Sequence, residues 1–200
     1  MKPGLIVSIQ GYSLTTAQEL AEHALDGGAV GIRADQPIRV RVPVIGLVKI
    51  PDEEYYITPY YENVMAIAEW ADIVAIDCRK GNPELMPLLK RVTKHDVIFL
   101  ADIQTIHDYT NLITHEIYPD YVATTFSFMN RYDGKIDIEL LKHLVKIRKT
   151  GIIAEGGITT PYEINDIRSQ GVTNYCIGGE ISKIREKTFY YSNVPEVTVC

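Results

Sequence analysis

The stretch GIIAEGGITTPYEINDIRSQGVTNYCIGG, residues 151–179, decides how the chain is read. It begins as an apolar run closed by Glu155 and the pair Gly156-Gly157. An amphipathic segment then opens on Thr160 and stops at Gly171, and a second apolar run closes with Gly178-Gly179. Near-continuous apolar runs suit parallel strands buried on both faces, whereas a half-exposed antiparallel sheet would alternate apolar and polar residues. Threonine caps the free N–H groups at a helix start, and glycine ends a helix without strain. The stretch therefore reads as strand, helix, strand.

The same alternation runs through the rest of the chain. GLIVSIQ, AVGIRA, VPVIGLVKI, DIVAIDC, DVIFLADI and YVATTF read as further strands, and TTAQELAEHALDGG, ENVMAIAEWA, NPELMPLLKRVTKH, TIHDYTNLITHE and DIELLKHLVKIRK as helices. Eight strands with helices between them predict an α/β protein, a (β/α)8 TIM barrel forming one domain over residues 1–200. An open doubly wound sheet is the alternative. Only about DQPIRVRV, residues 35–42, separates the second strand from the third, so the second helix is expected to be shortened or missing. The last helix, after Gly179, is weakly patterned and ends in the polar, β-rich tail YYSNVPEVTVC.

Composition narrows the function. At 46% hydrophobic and 23% charged residues the chain can bury a sizeable core. Its longest apolar runs fall short of the roughly 20 residues needed to span a bilayer. The start MKPGLIVSIQG lacks the features of a secretory signal, which predicts a cytoplasmic protein with no membrane partner. A net charge of -6 without a basic cluster argues against nucleic acid, so an anionic ligand would need a local site. Cys78, Cys176 and Cys200 lack ligand spacing and read as free thiols. His23, His95, His107, His115 and His143 all fall in helical segments or at their ends, so no metal site built on histidine ligands is expected. Nucleophile-elbow, P-loop and dinucleotide motifs are absent from the sequence.

In a barrel the carboxyl ends of the strands form the active face. The residues closing the apolar runs are Gln10, Arg33, Lys49, Asp77, Asp102, Thr125 and Glu155, with the two glycine pairs. Any one could be a surface residue, but seven on one face point to a site. Without side chains, Gly156, Gly157, Gly178 and Gly179 let backbone N–H groups approach a phosphate. Lys49 sits in GLVKIPDEEYYITP, residues 46–59. Partly desolvated and near Arg33, its ammonium would be disfavoured, leaving a neutral fraction to act as a base. Glu155 or Asp102 could oppose that shift or handle protons on hydroxyls, while Arg33 and Gln10 could hold a carbonyl oxygen as charge develops on it. The set suits proton abstraction beside a carbonyl.

Taken in order, GLIVSIQ, GGAVGIRA, VPVIGLVK, IAEGGITTP and IGGEIS resemble the bacterial N-acetylmannosamine-6-phosphate 2-epimerases, from about Gly4 to Ser182. The resemblance implies a barrel isomerase of sialic acid and amino-sugar catabolism that needs no redox cofactor and forms a homodimer. It implies Lys49 as acid/base and Glu155 as supporting carboxylate. Gln10, Arg33 and Asp102 match substrate-contacting positions of the family and Gly157, Gly178 and Gly179 its phosphate loop; as strand-end residues Asp77 and Thr125 join the candidate substrate-binding set, and Gly156 and Lys183 join the candidate phosphate-binding set. The chain departs from the family in lacking the helix after GIRA, in Gln104, in FSFMNRYDG, and in Ser182, Lys183 and Ile184 where Thr-Arg-Pro is usual. Lys183 keeps the charge of that arginine but loses its fork. Tyr55, Tyr56, Tyr60 and Tyr61 read either as interface residues or as the lining of a loop over the active face. Competing readings are an epimerase or isomerase of another phosphosugar, and a sugar-phosphate binder without catalysis. A binder would need the glycines but not Lys49 and Glu155.

Overall fold

The computed structural model describes residues 1–51, 53–124, 135–147, 150–181 and 192–193. Along these run β1 (Gly4–Ile9), α1 (Leu14–Asp26), β2 (Gly31–Ala34), β3 (Val44–Gly46), α2 (Tyr61–Ala68), β4 (Ile73–Asp77), α3 (Leu85–Val92), β5 (Phe99–Ile103), α4 (Ile106–Thr114), β6 (Tyr121–Thr124), α5 (Ile138–Lys146), β7 (Gly151–Glu155), α6 (Pro161–Ser169) and β8 (Asn174–Ile177). Every neighbouring strand pair is parallel, and β8 returns to β1 with Gly4 opposite Asn174 and Val7 opposite Ile177. That closure makes the sheet a barrel and excludes the open doubly wound alternative.

Successive strand side chains point to opposite faces, which sorts the strands into two layers. Ile6, Ile45, Ile73, Ala75, Leu100, Ala123, Ile153 and Cys176 pack together inside the barrel. The residues between them, such as Val7, Ile32, Val44, Val74, Ala101, Val122, Ala154 and Ile177, pack outward against the helices. Two residues beyond the inward apolar positions come Ser8, Asp77, Asp102, Glu155 and Gly178. The alternation therefore aims these residues into the upper end of the barrel. Arg33, two beyond Gly31, belongs to the same inward row.

The helices dock through small residues and defined caps. Ala17, Ala21 and Ala24 lie along one face of α1 and are all buried, letting the helix approach β1 closely. The Ser13 hydroxyl caps α1, and capping boxes start α4 at Thr105 and α6 at Thr160. Gly46 has a packing reason for being glycine. A Cβ there would lie 2.6 Å from Ala71 Cβ and closer still to Ile67.

No helix forms between β2 and β3, as the short segment predicted. Residues 35–43 cross directly, and Ile38, only 2% exposed, packs against the outer face of β2. The helix expected after Gly179 falls mostly on residues outside the described ones. One expectation about β3 is corrected. Its parallel pairing ends at Gly46, so Lys49 does not close the strand. Instead Lys49 forms an isolated antiparallel bridge with Ile57, because the chain after β3 folds back on itself as a small hairpin. Among the described residues, no helix is long and apolar enough to cross a membrane.

Candidate active site

A cavity of about 530 Å³ opens at the carboxyl end of the barrel. Its floor is an ion-pair cluster drawn from three strands. Arg33, on β2, donates from Nη1 and Nη2 to the two carboxylate oxygens of Asp102, on β5, at 3.1 and 2.6 Å. Nη1 also donates to Glu155 Oε2, on β7, at 2.6 Å. Arg33 and Asp102 are essentially inaccessible, at 1% and 0% exposure. A buried guanidinium needs such partners, since an unpaired charge there would be strongly disfavoured. The two carboxylates raise the Arg33 pKa and keep it charged despite burial.

One guanidinium cannot fully compensate two carboxylates, and Asp102 has the bidentate share. Glu155 is pushed up to about 7, first by burial and then, against the pull of Arg33, by the negative charge of Asp102. Its backbone is fixed by Thr124 of β6. The Thr124 hydroxyl donates to Glu155 O at 2.8 Å and accepts from Glu155 N at 2.9 Å. Lys49 is exposed at the rim of the same cavity. Neighbouring protein nonetheless removes part of the ammonium's hydration, and this, with repulsion from Arg33, lowers its pKa. Glu155, Asp102 and Asp35 act in the opposite sense.

The hairpin that carries Lys49 is well bonded. Ile50 N donates to Tyr56 O at 2.9 Å and Thr58 N to Val48 O at 2.8 Å, while Val48 N donates to Thr58 Oγ1 at 3.2 Å. Thr58 is fully buried in a left-handed conformation with φ 49°. Tyr56 lines the cavity, and Lys49 Nζ lies 5.9 Å from its ring centroid.

The opposite wall is built for close approach. Gly156 and Gly157 have φ of 90° and 73°, a conformation that other residues adopt only with strain. At Gly178 a Cβ would stand 3.3 Å from Ser8 Cβ, whereas beside Gly179 there is open space. Gln10 Nε2 donates to Ser8 Oγ at 2.6 Å, which fixes the amide at the edge of this wall.

The cavity thus brings together Gln10, Arg33, Lys49, Glu155 and both glycine pairs. Asp102 lies beneath it as the partner of Arg33, and Asp77 does not line it either. Asp77 is held by Arg79, whose Nε donates at 2.9 Å to Oδ1 and whose Nη2 donates at 2.7 Å to Oδ2. Thr125 and Lys183 lie outside the described residues. Among the lining residues that the sequence reading did not place in the site are Ser8 and Cys176, while Tyr56, read either as an interface residue or as the lining of a loop over the active face, does line the cavity. For Ser8 and Cys176 the signal was the period of two, since they precede Gln10 and Gly178 by one full repeat.

A family model with the description "Putative N-acetylmannosamine-6-phosphate epimerase" matches residues 17–195. The chain is 30% identical over 222 residues to a protein of Listeria monocytogenes serotype 4b named "Putative N-acetylmannosamine-6-phosphate 2-epimerase", covering 96% of this chain and 94% of that protein. It is 34% identical over 213 residues to the correspondingly named protein of Caldanaerobacter subterraneus subsp. tengcongensis, covering 94% and 89%. The solved N-acetylmannosamine-6-phosphate 2-epimerase from Clostridium perfringens superposes with a TM-score of 0.79 at 26% identity, over 96% of this chain and 93% of that one. A (S)-3-O-geranylgeranylglyceryl phosphate synthase from Thermoplasma acidophilum, at 11% identity and a TM-score of 0.62 over 96% and 92%, shares the fold alone. By family model and by relatives of full length, the chain belongs to the N-acetylmannosamine-6-phosphate 2-epimerase family.

Proposed function

We propose that this protein interconverts N-acetylmannosamine 6-phosphate and N-acetylglucosamine 6-phosphate, with Lys49 as the base at C2 and Glu155 as its supporting carboxylate. The observation that carries the reading is one cavity that gathers Lys49, Glu155 and both glycine pairs above the Arg33–Asp102 ion pair, and the pKa values of Lys49 and Glu155 move toward each other there. Lys49 is lowered and Glu155 raised, above an arginine that stays charged. With Arg33 and Asp102 fixed as a pair, a proton moved from Lys49 to Glu155 leaves the cluster's net charge unchanged. Lowering the Lys49 pKa favours the neutral amine that a catalytic base needs.

In the ring-opened sugar the C2–H lies beside the C1 aldehyde. Neutral Lys49 takes the C2 proton and becomes an ammonium. The C–H bonding pair forms a C1–C2 double bond, and the former carbonyl pair becomes an enolate oxygen. The positive potential of the Arg33 guanidinium on the cavity floor stabilises that oxygen. A proton from solvent then adds to the opposite face of C2 as the enolate pair re-forms the C1 carbonyl, giving the aldehyde with inverted configuration, and the Lys49 ammonium returns its proton to solvent. The strained pair Gly156-Gly157 and the open backbone at Gly179 receive the 6-phosphate, which anchors the substrate while C2 turns over. The same reading puts the enzyme in amino-sugar catabolism in the cytoplasm, where a phosphorylated sugar is retained, and carries the family expectation of a homodimer.

The test is to incubate the protein with N-acetylmannosamine 6-phosphate in heavy water and follow C2 by proton NMR, beside Lys49→Ala. The expected result is the glucosamine epimer carrying deuterium at C2, with both exchange and conversion lost in the variant. If the sugar protects the protein against thermal unfolding while neither exchange nor conversion occurs, the protein is a binder and the catalytic reading is wrong.

A further inference from the structure

We propose that Arg79 is a positioning residue that sets the reach of Lys49 over the cavity, an inference that rests on Lys49 being the base. Lys49 belongs to no regular strand. Its place depends on the hairpin of residues 48–50 and 56–58, and that hairpin is tied to the barrel at two levels. The lower tie is apolar and backbone. Ile57, 3% exposed, packs into the barrel interior, and its carbonyl accepts from Asp77 N at 3.0 Å.

Arg79 makes the upper tie. Asp77, at the end of β4 and 2% exposed, holds the guanidinium through both carboxylate oxygens, with Nε also 3.1 Å from Oδ2. From that anchorage Nη2 donates outward to the Glu54 carbonyl of the hairpin segment. The guanidinium carbon also stands 5.0 Å from the Tyr55 ring centroid and 5.8 Å from that of Tyr56. Both distances fall within the range of a cation–π attraction. Tyr56 is the link to the base: its ring neighbours Lys49 Nζ, and its carbonyl accepts from Ile50 N, next to Lys49. A continuous series of contacts therefore runs from β4 through Asp77 and Arg79 to Tyr56 and on to Lys49.

A partner needed only to neutralise Asp77 would make the fork and stop there. Arg79 goes on to engage one carbonyl and two rings of the segment that carries the base. A planar guanidinium can do all of this at once, whereas an ammonium has no fork and stacks less well on aromatic faces.

The test measures kcat, KM, C2 exchange and the pH profile for the wild type, Arg79→Ala, Arg79→Lys and Lys49→Ala, with thermal unfolding to show that each is folded. Arg79→Ala is expected to lower kcat by about 10- to 100-fold, the scale of a misplacement near 1 Å, with KM little changed because the glycine pairs are untouched. The rising limb of its pH profile should move to higher pH as the Lys49 ammonium regains water. Arg79→Lys should recover less than half of the loss, and it carries the same comparison if Arg79→Ala does not fold. Acylation of Lys49 by an amine-selective reagent at pH 8, followed by mass spectrometry, gives a readout independent of turnover and should slow in the Arg79 variants. Loss of activity in Lys49→Ala, with Arg79 variants that keep the wild-type kcat, pH limb and acylation rate, overturns the positioning role alone. Full activity in Lys49→Ala overturns the function it rests on.

Discussion

Glu155 sets two physical effects against each other, and substitution by glutamine decides between them. Its carboxyl makes a 2.6 Å ion pair with Arg33, which by itself would lower its pKa. Burial and the neighbouring charge of Asp102 oppose this, and together they prevail, taking the group from its ordinary 4.5 to about 7. An acid whose pKa is raised on folding binds a proton in the native state that the unfolded chain has already released. Its contribution to stability is therefore whole below 4.5 and is lost as pH rises toward 7. The rise of about 2.5, at 1.36 kcal/mol for each, sets a ceiling of about 3 kcal/mol. Because the side chain keeps 19% exposure, water trims this, and a measured effect of about 1 to 3 kcal/mol is expected. The assay is urea unfolding of the wild type and Glu155→Gln at pH 5, 6, 7 and 8. The difference between the two proteins cancels carboxylates common to both. The wild type should lose stability relative to the glutamine variant as pH rises across this range. A flat difference, or a wild type that gains on the variant, would show that the Arg33 pair dominates and that Glu155 is ionised throughout.

Gly46→Ala should destabilise the fold by about 1 to 3 kcal/mol, because its Cβ collides with Ile67 and Ala71 on the helix side of β3; the urea midpoint reads the loss. Asp108→Ala removes a buried carboxylate that accepts from the backbone of Lys80, Gln104 and Thr105 at 2.7, 2.9 and 2.8 Å, tying the β4–α3 and β5–α4 turns together. A loss of about 2 to 4 kcal/mol is expected by the same measurement. Gly157→Ala forces a side chain onto a backbone at φ 73°. It should cost about 1 to 2 kcal/mol and raise KM for the phosphosugar more than it lowers kcat, a split that steady-state kinetics would show.

How much of this was legible in the sequence follows from the length scale of each interaction. The strand rhythm was legible because the strands, the short β3 included, are mostly buried on both faces and so stay nearly free of polar residues until their carboxyl ends. The polar closers at Gln10, Arg33, Asp102 and Glu155 were legible because the period of two carries them inward. Their pairing was not. That Arg33 of β2 meets Asp102 of β5 and Glu155 of β7 depends on the barrel's closure, which brings together positions 69 and 122 residues apart in the chain. The sequence likewise placed Lys49 at a strand end, since VIGLVKI looks continuous. The structure shows that strand pairing stops at Gly46 and that buried Thr58 and Ile57 fold the chain back beneath the lysine. No local pattern announces such a return, because its bonds run to β4 as well as within the hairpin.

The missing helix tests which contacts hold the site in place. If the outer layer fixed β2, losing its crossover helix would free Arg33. The two faces of β2 are instead held separately. On the outer face Ile32 and Ala34 share a cluster with α1 and with Ile38, Val40 and Val42 of the connecting segment, so a few apolar side chains cover what a helix covers elsewhere in the barrel. On the inner face Arg33 is gripped from the far strands, by two bonds to Asp102 and one to Glu155. These ion pairs span the barrel bore and do not depend on what lies outside it. The brace is also strained in charge, one cation against two carboxylates, and that surplus of negative charge keeps a proton available on Glu155 near neutrality. The same cluster therefore does two things: it replaces a lost helix in fixing β2, and it maintains the protonation state the proposed chemistry requires. Asp102 is the member on which both depend. Replacing it would leave Arg33 with Glu155 as its one remaining carboxylate partner among the described residues, tightening that pair and drawing the Glu155 pKa down.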